Sequence, residues 1–278
     1  MTFALEENPR IQLNNGQLMP QLGLGVYKVQ QDVAVDVVRT AIELGYRRVD
    51  TAALYDNEVE VGAAIRTCGI DREQLFVTTK IWNDRHGFDE ASEAIDEALA
   101  RLNIDYIDML LIHWPCPKQN LFVETWAELE KSLESGKVRG IGVSNFHPEH
   151  LERLLDECAV VPAINQVELH PGLAQSEIRR FDADQGIATE AWSPIARGKF
   201  NQNSVIQEIS NRHRKTPAQV ILRWHIQLGN LVIPKSTNPD RLAENLDVFD
   251  FSLSKVEMDD ILALENGERI GPDPREFN

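Results

Sequence analysis

Eight short apolar runs alternate with longer segments of helical periodicity along this chain, and that alternation is what most restricts its fold. The runs lie near 21–25, 46–50, 75–80, 106–112, 138–143, 163–168, 187–191 and 231–234. Val, Ile, Leu and Phe dominate several of them, as expected of parallel strands covered on both faces. Between them, Ala34, Val37, Val38, Ala41 and Ile42 keep the i, i+3, i+4, i+7 spacing of one helix face, with Gly45 placed to end it. Ala91, Ala94, Ile95, Ala98, Leu99 and Leu102 repeat the pattern. Thr216-Pro217-Ala218-Gln219 combines an N-cap, a first-turn Pro and a capping-box Gln, and Asn238-Pro239 opens another helix the same way.

Such alternation permits a closed parallel barrel or a large doubly wound sheet. A dinucleotide-binding sheet of the second kind carries G-x-G-x-x-G after its first strand, whereas here Gly23-x-Gly25 is followed by Lys28. The fingerprint fails. The expected architecture is therefore an α/β fold, a (β/α)8 TIM barrel. No Gly/Ser-rich, Pro-rich or low-complexity tract marks a boundary, so residues 1–278 read as a single domain. Ahead of the barrel, Asn15-Gly16 between Ile11 and Leu18 signals a two-residue β-hairpin, expected to close the barrel bottom.

At 42% hydrophobic and 26% charged residues, the chain has ample material for a core. Its formal net charge of −16 repels phosphate backbones and anionic membranes, which argues against nucleic acid and membrane as partners. A phosphate-bearing ligand would need a local cationic patch. Cys68, Cys116 and Cys158 are far apart and form no C-x-x-C pair, which argues against a disulfide framework or a zinc site and fits a reducing compartment. Glu6 and Glu7 fall where a signal peptide would be apolar, and no apolar run approaches a membrane span. The expectation is a cytoplasmic protein without a metal.

The polar residues that end the apolar runs carry the chemistry. They are Asp50, Lys80, His113, Ser144-Asn145, Gln166, Trp192-Ser193 and Lys235-Ser236. Asp50, Lys80 and His113 are 30 and 33 positions apart, about one βα unit each, and catalytic groups of barrels come from the C-terminal ends of several strands. Tyr55 follows Asp50 by five residues, in the loop over the barrel mouth. A free phenol has a pKa near 10, too high for an efficient acid at neutral pH, and a neighbouring ammonium would lower it. Lys80 would supply that charge, Asp50 would hold Lys80 protonated, and His113 would position a carbonyl oxygen. Each residue alone also fits a plainer role: a buried ion pair, a packing aromatic, a core histidine.

The chain resembles the aldo-keto reductases from about Pro20 to Pro274. The resemblance is carried by V-D-T-A-x-x-Y-x-N-E at Val49 to Glu58, T-T-K at Thr78 to Lys80 and L-x-H-W-P at Leu111 to Pro115. It continues in G-V-S-N-F at Gly142 to Phe146, N-Q-x-E-x-H-P at Asn165 to Pro171, I-P-K-S at Ile233 to Ser236 and R-x-x-E-N at Arg241 to Asn245. It implies a catalytic tetrad of Asp50, Tyr55, Lys80 and His113, with Tyr55 as proton donor, and hydride transfer from NADPH lying across the barrel mouth. The implied cofactor contacts are Gly25, Val26, Tyr27 and Asp50; Ser144, Asn145 and Gln166 on the carboxamide; and Trp192 stacked on the nicotinamide, with Ser193 and Pro194 continuing the wall. Lys235, Ser236 and Arg241 match the contacts of the adenosine 2′-phosphate, Glu244 and Asn245 match positions around the adenine, and Thr237 and Asn238 are further implied cofactor contacts. A guanidinium fork suits a phosphate, so Arg241 implies preference for NADPH over NADH.

Tyr27, Trp82 and Trp114 are expected to line an aromatic substrate pocket together with Tyr55 and His113. Asn83-Asp84-Arg85-His86 is similar to the bacterial 2,5-diketo-D-gluconate reductases, and Arg85 and His86 would either meet an acid group or belong to a surface loop. H-P-E-H at His147 to His150 reads as a solvated turn at a helix start, not a metal site. The segment from Gly267 to Asn278 is expected to reach the substrate pocket, and its shortness implies an open site for small aldehydes, ketones, diketones or keto sugars. Two other functions compete with a monomeric reductase. A Schiff-base lyase would need Lys80 with a depressed pKa, which Asp50 opposes. A non-catalytic NADPH-sensing subunit would leave the tetrad silent.

Overall fold

The structure, a computed structural model, describes residues 8–278; the acidic pair Glu6–Glu7 lies outside them. Strands β1 (Arg10–Gln12) and β2 (Leu18–Pro20) pair antiparallel. The turn between them is longer than the two-residue one expected. Leu13 N–H donates to the Gln17 carbonyl and Gly16 N–H to the Leu13 carbonyl, both at 2.9 Å, leaving a three-residue loop. A two-residue type I′ turn needs positive φ at both central residues, and here Gly16 is left-handed at φ 84° while Asn15 is not. The Asn15 side chain instead accepts from Gln17 N–H at 3.0 Å. Leu13 and Met19 pack against Phe76, Met109, Ile164 and Leu231, each the first residue of a barrel strand. The hairpin thus plugs the barrel bottom, as expected.

Eight parallel strands follow: β3 (Leu24–Gly25), β4 (Arg48–Asp50), β5 (Phe76–Ile81), β6 (Met109–Ile112), β7 (Ile141–Ser144), β8 (Ile164–Glu168), β9 (Ala188–Trp192) and β10 (Leu231–Val232). Each pairs with the next in chain order. A parallel bridge from Leu22 to Val232, with Gly23 N–H donating to the Val232 carbonyl at 2.9 Å, joins the last strand to the first. The barrel is closed. Several strands start later than the apolar runs do. Just ahead of β4, Tyr46 donates its hydroxyl to the Leu242 carbonyl at 3.0 Å, and just ahead of β6 the Asp108 carboxylate accepts from Val77 N–H at 2.9 Å.

Helices cover the outside. In α1 (Gln31–Leu44) the buried face is Ala34, Val37, Val38, Ala41 and Ile42, and Gly45 ends it in the left-handed region at φ 115°. The helix α2 (Glu58–Thr67) lies between α1 and α3 (Phe88–Leu102), whose buried residues are Ala91, Ala94, Ile95, Ala98 and Leu102. The ring continues with α4 (Phe122–Glu134), α5 (Pro148–Glu157), α6 (Ser176–Asp184), α7 (Ser204–His213), α8 (Pro217–Gln227), α9 (Pro239–Leu246) and α10 (Lys255–Leu262). Thr216 and Gln219 form the capping box of α8, and Asn238 caps α9 by accepting from Arg241 N–H. Among the described residues no helix is long and apolar enough to cross a membrane. The three cysteines carry free thiols.

The closeness of α2 to α3 rests on Gly62, where a Cβ would sit 1.9 Å from the Leu102 carbonyl oxygen. A backbone oxygen cannot swing aside, so Gly62→Ala forces the helices apart. We expect a loss of roughly 1–3 kcal/mol, measured as a lower urea midpoint at unchanged m-value; an unchanged midpoint would show that the helices shift freely.

Candidate active site

Strand ends and one short turn bring the expected tetrad together. Asp50 ends β4, Lys80 stands one residue before the end of β5, and His113 follows β6 directly. Tyr55 closes a single 3-10 turn, Ala53–Tyr55, where the chain leaves β4. That turn is pinned from below. Thr51 donates its hydroxyl to Asn57 Oδ1 at 2.8 Å, and Asn57 Nδ2 donates to the carbonyls of Val26 and Val29 at 3.0 and 3.2 Å. The next residue, Glu58, is buried, accepting from the Thr79 hydroxyl and pairing with Arg101 at 2.6 Å. The Asn and Glu of the Tyr55 motif are thus the loop's anchors.

Lys80 Nζ makes three contacts: Asp50 Oδ1 at 2.5 Å, the Thr51 carbonyl at 2.9 Å and the Tyr55 hydroxyl at 3.3 Å. Burial pulls the ammonium's pKa down, but Asp50 and Tyr55 outweigh it, so Lys80 is held above the ordinary lysine value. A lysine in that state is not a nucleophile, which removes the ground for the lyase reading. The phenol departs from the sequence expectation. Burial pushes Tyr55 up to about 12, and the lowering by Lys80 does not overcome it, with Asp50 adding to the rise. Desolvation of a phenolate costs more here than one ammonium at 3.3 Å returns. Tyr55 therefore carries its proton at neutral pH. Burial, then Lys80 and His86, holds His113 well below the usual imidazole range, so it is neutral. Its Nδ1 is the buried ring nitrogen, leaving Nε2 towards the cleft.

Beneath the tetrad the barrel interior is polar. Gln166, in β8, donates from Nε2 to Asp50 Oδ2 at 2.8 Å and to Glu190 Oε2 at 2.7 Å, and Glu190 pairs with Arg48. Gly23 leaves room for this arginine: a Cβ there would lie 2.4 Å from Arg48 Nε. Beside Gln166, Ser144 donates its hydroxyl to the Gln166 carbonyl at 2.8 Å. Asn145 Nδ2 donates to the His113 carbonyl at 3.0 Å and to Ser144 Oγ at 3.1 Å, while its Oδ1 accepts from Trp192 Nε1 at 2.8 Å. That last bond fixes the plane of the indole.

These groups open into one cleft of about 860 Å³. One end is aromatic: Tyr27 and Tyr55 lie 5.0 Å apart between ring centroids, Trp82 and His113 5.0 Å, and Trp114 stands beside them. The other end holds Lys235, Ser236, Thr237, Asn238, Arg241, Glu244 and Asn245 around the start of α9, with Gly25, Ser193 and Pro194 along the way. Every expected site residue lines the cleft except Lys80, which lies under it, and Val26. Val26 is a correction: its side chain is fully buried in the core between barrel and helices.

Of the two roles open to Arg85 and His86, contact with an acid group in the cleft is not the one seen: Arg85 turns outward to Glu93 and Glu97 of α3, and His86 is buried. One other expectation is corrected. His150 is not solvated; it is buried and accepts from His147 N–H at 3.1 Å, as half of the box that starts α5. Among the described residues no group of three or more His, Cys, Asp or Glu could hold a metal ion.

Sequence reading missed Lys28, Leu54, Arg197 and Phe277, all of which line the cleft. Arg197 follows the strand-end pair Trp192-Ser193 by only a few residues, a spacing that could have flagged it. Phe277 belongs to the C-terminal segment, which does reach the pocket. Its ring lies 4.6 Å from Trp114 and 6.3 Å from Trp82. The segment is fastened on the far side by Glu168, whose carboxylate accepts from Ile270 N–H at 2.5 Å and Gly271 N–H at 2.9 Å.

Comparison with known proteins agrees with this geometry. The sequence model of the Aldo/keto reductase family matches residues 19–266. An aldo-keto reductase of Mycolicibacterium smegmatis is 52% identical over 271 residues, covering 98% of each chain. The glyoxal reductase of Bacillus subtilis is 48% identical over 268 residues, covering 96% of each. A crystal structure of a Gox0644 mutant in complex with NADPH superposes with a TM-score of 0.94 at 45% identity, covering 98% of this chain and 100% of the other. The chain belongs to the aldo/keto reductase family and is an oxidoreductase.

Proposed function

We propose that this protein reduces small aldehydes, ketones and dicarbonyls with NADPH, using Tyr55 as the proton donor. The observation that carries the reading is the Tyr55 hydroxyl, 3.3 Å from a charged Lys80 at the floor of an open aromatic pocket. Relatives named for glyoxal and methylglyoxal reduction support the substrate class.

The cleft fits the cofactor. Its aromatic end adjoins Trp192 and a cluster of amide groups suited to a carboxamide, and its far end is the cationic patch that an acidic protein needs for a phosphate. Among the described residues neither Lys235 nor Arg241 is ion-paired; Arg241 lies in the first turn of α9 and Lys235 in the loop ahead of it, near the positive end of the helix dipole. Lys28 and Arg197 add positive charge along the same cleft. Bound there, reduced nicotinamide supplies the hydride.

The rest is work for the chain. His113, neutral, offers an N–H from Nε2 and orients the carbonyl oxygen beside Tyr55. The phenol holds its proton until that oxygen becomes basic, and then donates it. Lys80 stabilises the phenolate left behind, and Asp50 and the Thr51 carbonyl hold the ammonium in place. Trp114, Trp82 and Phe277 exclude water from the reacting end. All four tetrad residues come from one barrel, so we infer that a monomer suffices, and the free thiols fit a cytoplasmic setting.

Removing only the phenolic oxygen tests the acid. We expect Tyr55→Phe to keep NADPH affinity and lose about 10²–10⁴-fold in carbonyl turnover, read as NADPH oxidation with methylglyoxal; near-normal turnover would exclude Tyr55. Arg241→Ala should raise KM for NADPH roughly 10–100-fold with little effect on NADH, and equal losses with both cofactors would remove the 2′-phosphate assignment. Alkaline titration supplies a third check. Tyr55 ionises in the folded protein at about 12, above its unfolded value near 10, so the unfolded chain loses that proton first and stability falls as pH rises through this window. Phenolate absorbance should therefore lose a step near pH 12 in Tyr55→Phe; a step missing near 10 instead would mean the hydroxyl is hydrated.

A further inference from the structure

The amide of Gln166 lies between two carboxylates, and that placement decides which of its atoms faces the cleft. Asp50 Oδ2 and Glu190 Oε2 stand 2.8 and 2.7 Å from Gln166 Nε2. Ionised carboxylates only accept, and an amide has two N–H hydrogens on nitrogen and none on oxygen. With nitrogen in that position both hydrogens are used; with oxygen there, two acceptors would face a third. Oε1 is thereby left for the cleft, which Gln166 lines.

Asn145 tells the same story one strand away. Its nitrogen is spent on the His113 carbonyl and Ser144 Oγ, so its oxygen, already holding the indole N–H, has the free lone pair. Two amide oxygens side by side form an acceptor pair, the complement of a primary amide's NH₂.

Glu190 is the part of this arrangement that the reaction does not otherwise use. It is fully buried, and its second oxygen is occupied by Arg48, whose other nitrogen donates to the carbonyls of Val232 and Gln21 at 2.8 and 3.2 Å, across the barrel seam. Asp50 alone needs just one hydrogen from Gln166 and is shared with Lys80. Without a carboxylate at 190 the second hydrogen has no acceptor in the barrel, and Asp50 Oδ2 alone is left to oppose turning the amide over.

We propose that Glu190, clamped by Arg48, is a positioning residue that locks the Gln166 amide with its oxygen towards the cofactor, so that the site selects a carboxamide over a carboxylate on the pyridine ring. This rests on the reading of Gln166 as a nicotinamide contact. Glu190 touches no reacting atom; it acts through Gln166.

The test compares binding of NADP⁺ with that of its deamido analogue, nicotinic acid adenine dinucleotide phosphate, which carries a carboxylate in place of the carboxamide. Dissociation constants are measured on Arg48→Met/Glu190→Leu, which replaces the buried pair by apolar groups of similar volume, and separately on Glu190→Gln, whose own NH₂ would donate to Gln166 Oε1 and turn the amide. In both, the preference for the carboxamide should shrink about tenfold, the worth of one buried hydrogen bond, while kcat at saturating NADPH stays within about threefold. If either folded variant keeps the parental preference, Glu190 is only structural and the proposal is overturned, because a general loosening of the barrel weakens both dinucleotides alike. Gln166→Ala separates the two readings. It should shrink the preference by at least as much on its own, Asn145 Oδ1 being the acceptor that remains, and leave no further loss when combined with the Arg48/Glu190 changes. An unchanged preference in Gln166→Ala would instead remove Gln166 from the cofactor site.

Discussion

The short contact between Lys80 and Asp50 sets the state of everything around it. An ammonium sealed in a barrel would ordinarily shed its proton, because burial favours the neutral amine. Asp50, helped by Tyr55, prevents that, and a positive charge results at the base of the pocket. Burial first, and then that charge, keeps His113 neutral, and the same charge offsets part of the burial acting on Tyr55. Asp50 is held in turn by Gln166, whose second hydrogen reaches Glu190 and, through it, Arg48 at the seam where the barrel closes.

The ring of strand ends was legible in the sequence because it follows from two simple facts. Apolar runs stop where strands leave the core, and the βα repeat puts those stops at one end. Asp50, Lys80 and His113 could be read that way, as could the caps at Gly45, Thr216 and Asn238, whereas Gln166 stands in the middle of β8 and not at its end. The direction of the Tyr55 shift was not legible, since it turns on a competition between desolvation and one nearby charge, and only distances and burial rank the two. Val26 was misplaced for a related reason. It lies in the loop just after β3, where its side chain turns into the core while its neighbours Gly25 and Tyr27 line the cleft.

Long-range contacts account for the remaining differences. The Asn15-Gly16 pair fits two turn geometries, and the choice depends on how the hairpin must lie to plug the barrel, through Asn14 on Pro162 and Gln17 on Asp108. Sequence left Arg85 between a substrate acid group and a surface loop, and α3 decides it by placing Glu93 and Glu97 within its reach; in an acidic protein such partners are abundant. His150 found its role only when α5 had packed, where a buried ring nitrogen was needed to accept from the backbone.

The C-terminal segment has a different kind of attachment from the rest of the pocket. Glu168 holds it by the backbone N–H groups of Ile270 and Gly271, and it closes on Trp114 through a single aromatic ring. Main-chain fastening is indifferent to most side chains, so mutations between the fastening point and the ring can reshape the wall while the acid and its supporting charges stay untouched. A barrel organised like this separates what it does from what it accepts, and lineages can diversify in diet without re-inventing the reaction.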